Sequence, residues 1–208
     1  VMTYVKASVR RPSGNPGNGI QPKDQLVIYD VDDILSFPPR NDAGVVIEED
    51  IVMKAGRYAI GIYLTPGTAE ISSNSDGETD AEGYTPSIKF NHPGNEQEIR
   101  EFKTNWLSKK CIVVLRYCSG KPADLIGTPC NPCKLSVSYT GSNESNTNEL
   151  TFTQISKGDD IAIYRGTDTL EEPVAVVEAG ATDIDYQTDG QYQLSAGAAK
   201  IAGVTGGS

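Results

Sequence analysis

Much of this chain alternates apolar and polar residues with the period of two that a half-buried strand requires. KLSVSYT (134–140) and ELTFTQI (149–155) each bury one face and show the other, and the polar GSNESNTN between them predicts a hairpin turn. QLVIYDV (25–31) reads as a strand from its β-branched and aromatic content, with a stop at Pro38 and Pro39. VVIEED (45–50), DIVMKAG (50–56), RYAIGIYLTP (57–66), PSIKFN (86–91) and DIAIYRG (160–166) are further short apolar or alternating runs punctuated by glycine, the pattern of consecutive antiparallel strands. CIVVLRYC (111–118) is almost continuously apolar, as a strand covered on both faces must be.

One segment follows the helical period instead. Asn95 as cap, Glu98 three residues on, and Ile99, Phe102 and Trp106 on one stripe with Leu107 alongside predict a helix over 95–108 packed on a sheet. Residues 1–24, dense in Gly, Pro and Asn, read as an extended arm. Residues 65–86, TPGTAEISSNSDGETDAEGYTP, read as a long polar surface loop. The expected fold is therefore mainly β: an antiparallel sandwich or barrel over 25–170 with one flanking helix. PVAVVEAG (173–180) and DIDYQTDGQYQLSAG (183–197) are plausible strands of a C-terminal extension, 171–208, without an assigned role.

Composition changes this picture in two ways. With 208 residues and 38% hydrophobic content the chain can bury a core. Its net charge of −10 repels phosphate backbones and argues against a nucleic-acid reader with a basic footprint. The charge is also segregated. Asp30 to Asp50 holds seven acids against Arg40 alone, Pro66 to Ser87 five acids and no base, and Arg100 to Lys134 seven bases against two acids, so opposite patches of neighbouring copies could meet. The start VMTYVKASVRRP lacks the apolar core of a signal peptide, and no run approaches a membrane span, so synthesis in the cytoplasm is expected.

Candidate chemistry is sparse. Asp30 and Asp32 have the Asp-x-Asp spacing of a phosphotransferase nucleophile and its acid, but that chemistry needs a parallel sheet, and residues 32–56 offer no helical crossover. Asp30, Asp32 and Asp33 are instead expected at a strand end and turn, accepting local backbone hydrogen bonds. They match no calcium loop. His92, the sole histidine, sits beside Pro93 with no nucleophile motif near it and reads as structural. Cys111 and Cys118 lie an odd distance apart on a strand and pair poorly with Cys130 and Cys133 as a zinc set, so the four read as ordinary thiols. No catalytic, cofactor-binding or metal residue is assigned, and no enzyme activity is expected.

The order of elements is a strand, a long polar loop, a returning strand, one helix, a buried strand and an alternating hairpin. With IGIYLTP, KFNHPGNEQEIREFKTNWLSKKCIVVLRYC and LIGTPCNPCKLSVSYTGSNESNTNELTFTQ, this layout over roughly residues 20–165 resembles the tail tube (major tail) proteins of tailed bacteriophages and prophages, particularly the Bacteroidetes type. The resemblance implies a virion protein made in the host cytoplasm. Six copies would form a ring whose joined sheets make an inner β-barrel, and rings would stack through loops and arms. Other tail proteins (sheath or terminator, baseplate, tape measure) would be partners, and DNA would pass through the lumen without specific binding. An acidic lining would suit that passage, because a basic one would hold phosphates. The alternative is a monomeric β-sandwich module that binds carbohydrate or a cell surface through aromatics gathered on one face.

Overall fold

A computed structural model describes residues 6–15, 17–143 and 145–170, together with the backbone of strands Ala175–Val177 and Tyr192–Leu194. The elements of the first part are β1 (Pro22–Asp30), a single 3-10 turn (Val31–Asp33), β2 (Ile34–Ser36), β3 (Val46–Ile47), β4 (Val52–Met53), β5 (Ile60–Tyr63), β6 (Glu70–Asp76) and β7 (Gly83–Pro93). They continue with α1 (Gln97–Trp106), β8 (Cys111–Tyr117), β9 (Ala123–Ile126), β10 (Cys133–Gly141), β11 (Asn146–Gln154) and β12 (Ala162–Tyr164).

β8 organises the molecule. One of its edges pairs with β1, from Asp30↔Cys111 to Leu26↔Leu115, and β1 in turn pairs with β5. The other edge takes β9 at Val113–Leu115 and touches β10 at one residue pair, Cys133↔Cys111. Beyond that single junction β10 turns away to begin a four-stranded antiparallel sheet in the order β10-β11-β7-β6. Formally this is one ten-stranded sheet. Physically it is folded over at Cys111 and Cys133, so that the six strands β5-β1-β8-β9-β12-β3 form one layer and the four strands the other.

The fold is thus mainly β and sandwich-like. It does not close into a barrel within one chain, and it is mixed, since β3 runs parallel to β12.

The main core lies between the layers. Leu26, Ile28, Ile62, Leu64, Val113, Leu115 and Ile126 meet Ile88, Phe90, Leu135, Leu150 and Phe152, with Ile99, Phe102 and Trp106 of α1 closing the space. Each fully buried aliphatic or aromatic side chain contributes about 1.5–3 kcal/mol over its exposed state. Phe90 and Phe152 are stacked with ring centroids 6.3 Å apart. Successive strand residues point to opposite faces, so Val27, Tyr29, Ile112, Val114 and Leu125, extended along the sheet by Tyr164 and Ile47, form a second cluster on the far side of β1-β8-β9, packed with Ile51, Ala59 and the segment bearing β2 and β4. This is why CIVVLRY is apolar throughout.

Several expectations are corrected. Residues 65–86 are not one long loop: Glu70–Asp76 and the start of β7 are the two arms of a hairpin, paired from Glu70↔Lys89 to Asp76↔Gly83. The turn depends on Gly77 at φ 143, where a Cβ would meet the Ala81 carbonyl oxygen at 2.3 Å, and on Asp80 at φ 70.

The helix spans Gln97–Trp106 rather than 95–108, and Asn95 does not cap it. Glu96 holds the cap position without a side-chain bond, and the Asn95 side-chain oxygen accepts from Lys103 Nζ at 3.2 Å instead. The N-terminal arm ends sooner than residue 24, because β1 begins at Pro22, opposite Tyr117. Proline is tolerated at the first residue of a strand.

The chain divides into two compact units, Val1–Leu170 and Glu171–Ser208. In the second, Ala175–Val177 and Tyr192–Leu194 pair in parallel. The rest of the expected C-terminal strands lies outside the described residues.

Candidate functional site

The four-stranded sheet carries the features most unlike an ordinary protein surface. Its two outermost strands each use one edge only. β6 pairs with β7 alone, and β10, after Cys133, pairs with β11 alone. From Lys134 to Gly141 on one side and from Glu70 to Asp76 on the other, backbone donors and acceptors face outward, a template for another strand. Natural sheets usually protect such edges with proline, bulges or clustered lysines. Neither stretch contains proline, and Lys134 is the only lysine in them.

The two faces of this sheet differ sharply. The inner one holds Leu135, Ile88, Phe90, Leu150 and Phe152 in the core. The outer one presents Ser136, Ser138, Thr140, Thr147, Thr151, Thr153, Ser87, Asn91, Ser72 and Asn74, with Lys134 and Lys89 balanced by Glu149 and Glu70. Lys89 and Glu70 pair at 3.5 Å, and the Ser72 and Ser87 hydroxyls lie 3.0 Å apart. This face is hydroxyl-rich and its charges nearly balance, with Asp76 at the end of β6 as the extra acid. Further acidity collects beyond it at the β6–β7 tip, where Glu78, Asp80 and Glu82 alternate with small residues. Lys157 answers Asp76 at 3.1 Å.

The residues singled out from the sequence are scattered. Asp30 ends β1 with a nearly buried side chain; it accepts from the Asp32 amide at 3.1 Å, as a strand-end aspartate does, and is ion-paired with Lys109 Nζ. Asp32 is exposed, and its carbonyl accepts from Lys54. The two carboxylates therefore do not converge on a common cavity.

His92 lies on β7 with the Tyr63 ring edge-on to it at 6.1 Å, and its Nδ1 is buried without a hydrogen-bond partner. Burial is the main influence holding its imidazole below the ordinary 6.5, helped by the Lys103 charge and opposed by the Pro93 backbone.

Cys111 and Cys133 are buried at the layer junction, where desolvation pushes the Cys111 thiol up to about 12, while Cys118 and Cys130 are exposed. Among the described residues no three His, Cys, Asp or Glu side chains could hold a metal ion, and no helix is long and apolar enough to cross a membrane.

Of the exposed tyrosines, Tyr84 opens β7, while Tyr139, level with His92 through Asn148, lies toward the opposite end of the sheet, the end where Tyr63 meets His92.

Sequence reasoning missed a polar network that locks the second core. Asp168 accepts from Tyr29 Oη at 2.6 Å and pairs with Arg116, whose guanidinium also donates to the Gly166 carbonyl at 2.7 Å and lies over the Tyr164 ring. Desolvation and the Asp168 charge both raise the Tyr29 hydroxyl far above its usual range. No sequence signal marks the network, because its members lie 52 and 139 residues apart.

No family of known proteins, curated protein sequence or solved structure matches this chain.

Proposed function

We propose that the protein is a self-assembling structural subunit, a phage tail tube protein whose copies join edge to edge into rings that stack into a DNA-conducting tube. The observation that carries this reading is the four-stranded sheet with an open edge on each side, one face in the core and the other polar.

Four is an even number of antiparallel strands, so β10 and β6 run in opposite directions. When β6 of one copy lies beside β10 of the next, the junction is antiparallel like every other pair in the sheet. Repetition of this head-to-tail contact closes into a ring and uses up the edges. The bulk of each subunit, meaning the six-stranded layer and α1, lies behind the inner face. A closed ring has more room outside than inside, so the hydroxyl-rich face turns to the bore.

Six copies would bring roughly 24 strands; at ~4.8 Å spacing and ~40° tilt the backbone cylinder is about 50 Å across. Such a bore has nearly balanced charges, with Asp76 leaving a small acidic excess. It meets the same requirement, since it offers no array of cations to retain phosphates by counterion release.

Negative-stain microscopy of the purified full chain, alone and with its tail partners, tests this. Rings or tubes are expected, and a protein that stays monomeric under all those conditions refutes the reading.

A further inference from the structure

The reading just proposed leaves open how one copy's β6 is aligned against the next copy's β10. The fold restricts that alignment to a single smallest solution.

Within one sheet, the registers Glu70↔Lys89, Lys89↔Thr151 and Thr151↔Ser136 place Glu70 level with Ser136 on the opposite edge. If the next copy were added without any slide, its Asp76 end would overrun the start of β10, where Cys111 already occupies the place beside Cys133. The incoming strand must therefore slide toward Gly141.

An odd slide would set outward-facing serines and asparagine of β6 against the inward-facing Leu135, Val137 and Tyr139, because side chains alternate with a period of two. A slide of two still leaves Asp76 short of clearing Cys133. A slide of four is the smallest that clears it with both faces matched.

We infer that in the assembled ring β6 of one copy adds to β10 of the next with Asp76 opposite Lys134, Asn74 opposite Ser136, Ser72 opposite Ser138 and Glu70 opposite Thr140. This inference rests on the ring reading and adds its register.

Two independent features agree with it. Lys134 is the one lysine on the β10 edge and meets Asp76 on the same face. Ile71, half-buried on β6, falls opposite Tyr139, which is 44% exposed in the single chain. In addition, four residues of slide, about 13 Å, over four strands, about 19 Å, correspond to a strand tilt near 35°, within the range of closed barrels.

The test is cross-linking in the full chain with the exposed Cys118 and Cys130 replaced by serine. In the inferred register Asn74→Cys and Ser136→Cys face each other across the junction, within the ~5.5 Å Cα separation of directly opposed residues, whereas Asn74→Cys with Ser138→Cys is diagonal at ~7–8 Å, beyond disulfide reach. Dioxygen with a copper–phenanthroline catalyst takes two electrons from each thiol pair, releasing two protons as the sulfur–sulfur bond forms. The same samples are inspected by microscopy for rings.

The expected result is rings in both variants and a reductant-sensitive covalent ladder, ending at the ring order, only for the 74/136 pair. Rings with a ladder in the 74/138 pair, or with no ladder in either, overturn the register and leave the ring reading standing. Absence of rings from every variant and from the parent chain overturns both. A charge exchange gives a second check: Lys134→Glu should lower ring yield at least several-fold at low salt, and adding Asp76→Lys should restore it.

Discussion

The two layers of this molecule solve the burial problem in opposite ways. In the six-stranded layer, β1 and β8 have apolar side chains on both faces and paired backbone on both edges, so their hydrogen-bonding and hydrophobic capacity is spent inside the chain. In the four-stranded layer only the inner face is buried. The outer face is polar, and each side ends in an unpaired edge. The six-stranded layer also ends in strands paired on one side, β5 and β3, but these are only four and two residues long, whereas β10 and β6 have nine and seven. The long unpaired edges of the second layer are what the proposed assembly would use.

The comparison can be broken from either side. Phe152 is fully buried between the layers, so Phe152→Ala should cost about 3–5 kcal/mol through lost transfer energy and a residual cavity, read as a large drop in the denaturant midpoint at unchanged slope. An effect below about 1 kcal/mol would mean that the layers do not share one core.

Asp168→Ala should cost somewhat less, about 2–4 kcal/mol, because it strands the Arg116 guanidinium and the Tyr29 hydroxyl behind the doubly buried strands. Asp168→Asn should recover part of that loss by keeping hydrogen bonds without the charge. Equal losses in the two variants would show that the ion pair, and not the hydrogen bonding, matters.

On the polar face, Ser136→Arg with Thr151→Arg should leave folding within about 0.5 kcal/mol, since both positions point away from the core. Its effect should fall on function: assembled tubes should acquire DNA binding that weakens as salt rises. Unchanged DNA binding would separate this face from the bore.

The smallest effect concerns pH. His92 is held below its ordinary value by burial, so the unfolded chain takes up the proton first as pH falls. Unfolding free energy should therefore decline as pH drops through about 6.5 toward the lowered folded value, and rise again with pH, the sign required when the unfolded state binds more protons. His92→Gln should flatten this part of the pH profile, and an unaltered profile would assign it to carboxylates.

Legibility in the sequence followed the range of the interactions involved. KLSVSYT and ELTFTQI were recognisable because half of their residues sit on a core-facing face, and the structure pairs them residue by residue from Cys133↔Gln154 to Gly141↔Asn146. EISSNSD reads as loop because β6 is an outermost strand whose inner positions after Ile71 are Ser73 and Ser75, leaving no apolar alternation to detect. The Asn95 cap failed for a related reason. Its side chain is engaged by Lys103, eight residues on, a contact that Asn148 and Lys103 share at 2.6 Å across the core edge.

What the amino-acid order determined by itself was which face of each strand is wet and which is dry, since period-two alternation is a property of adjacent residues. The assignment of Asp30 to a strand end belongs to the same class, because the amide it accepts from is two residues away. Only the tertiary structure decided which edges stay open. That depends on a few pairings between distant residues, above all Cys111 with Cys133. An unpaired edge is defined by what does not lie beside it, and no local pattern of side chains encodes the absence of a neighbour.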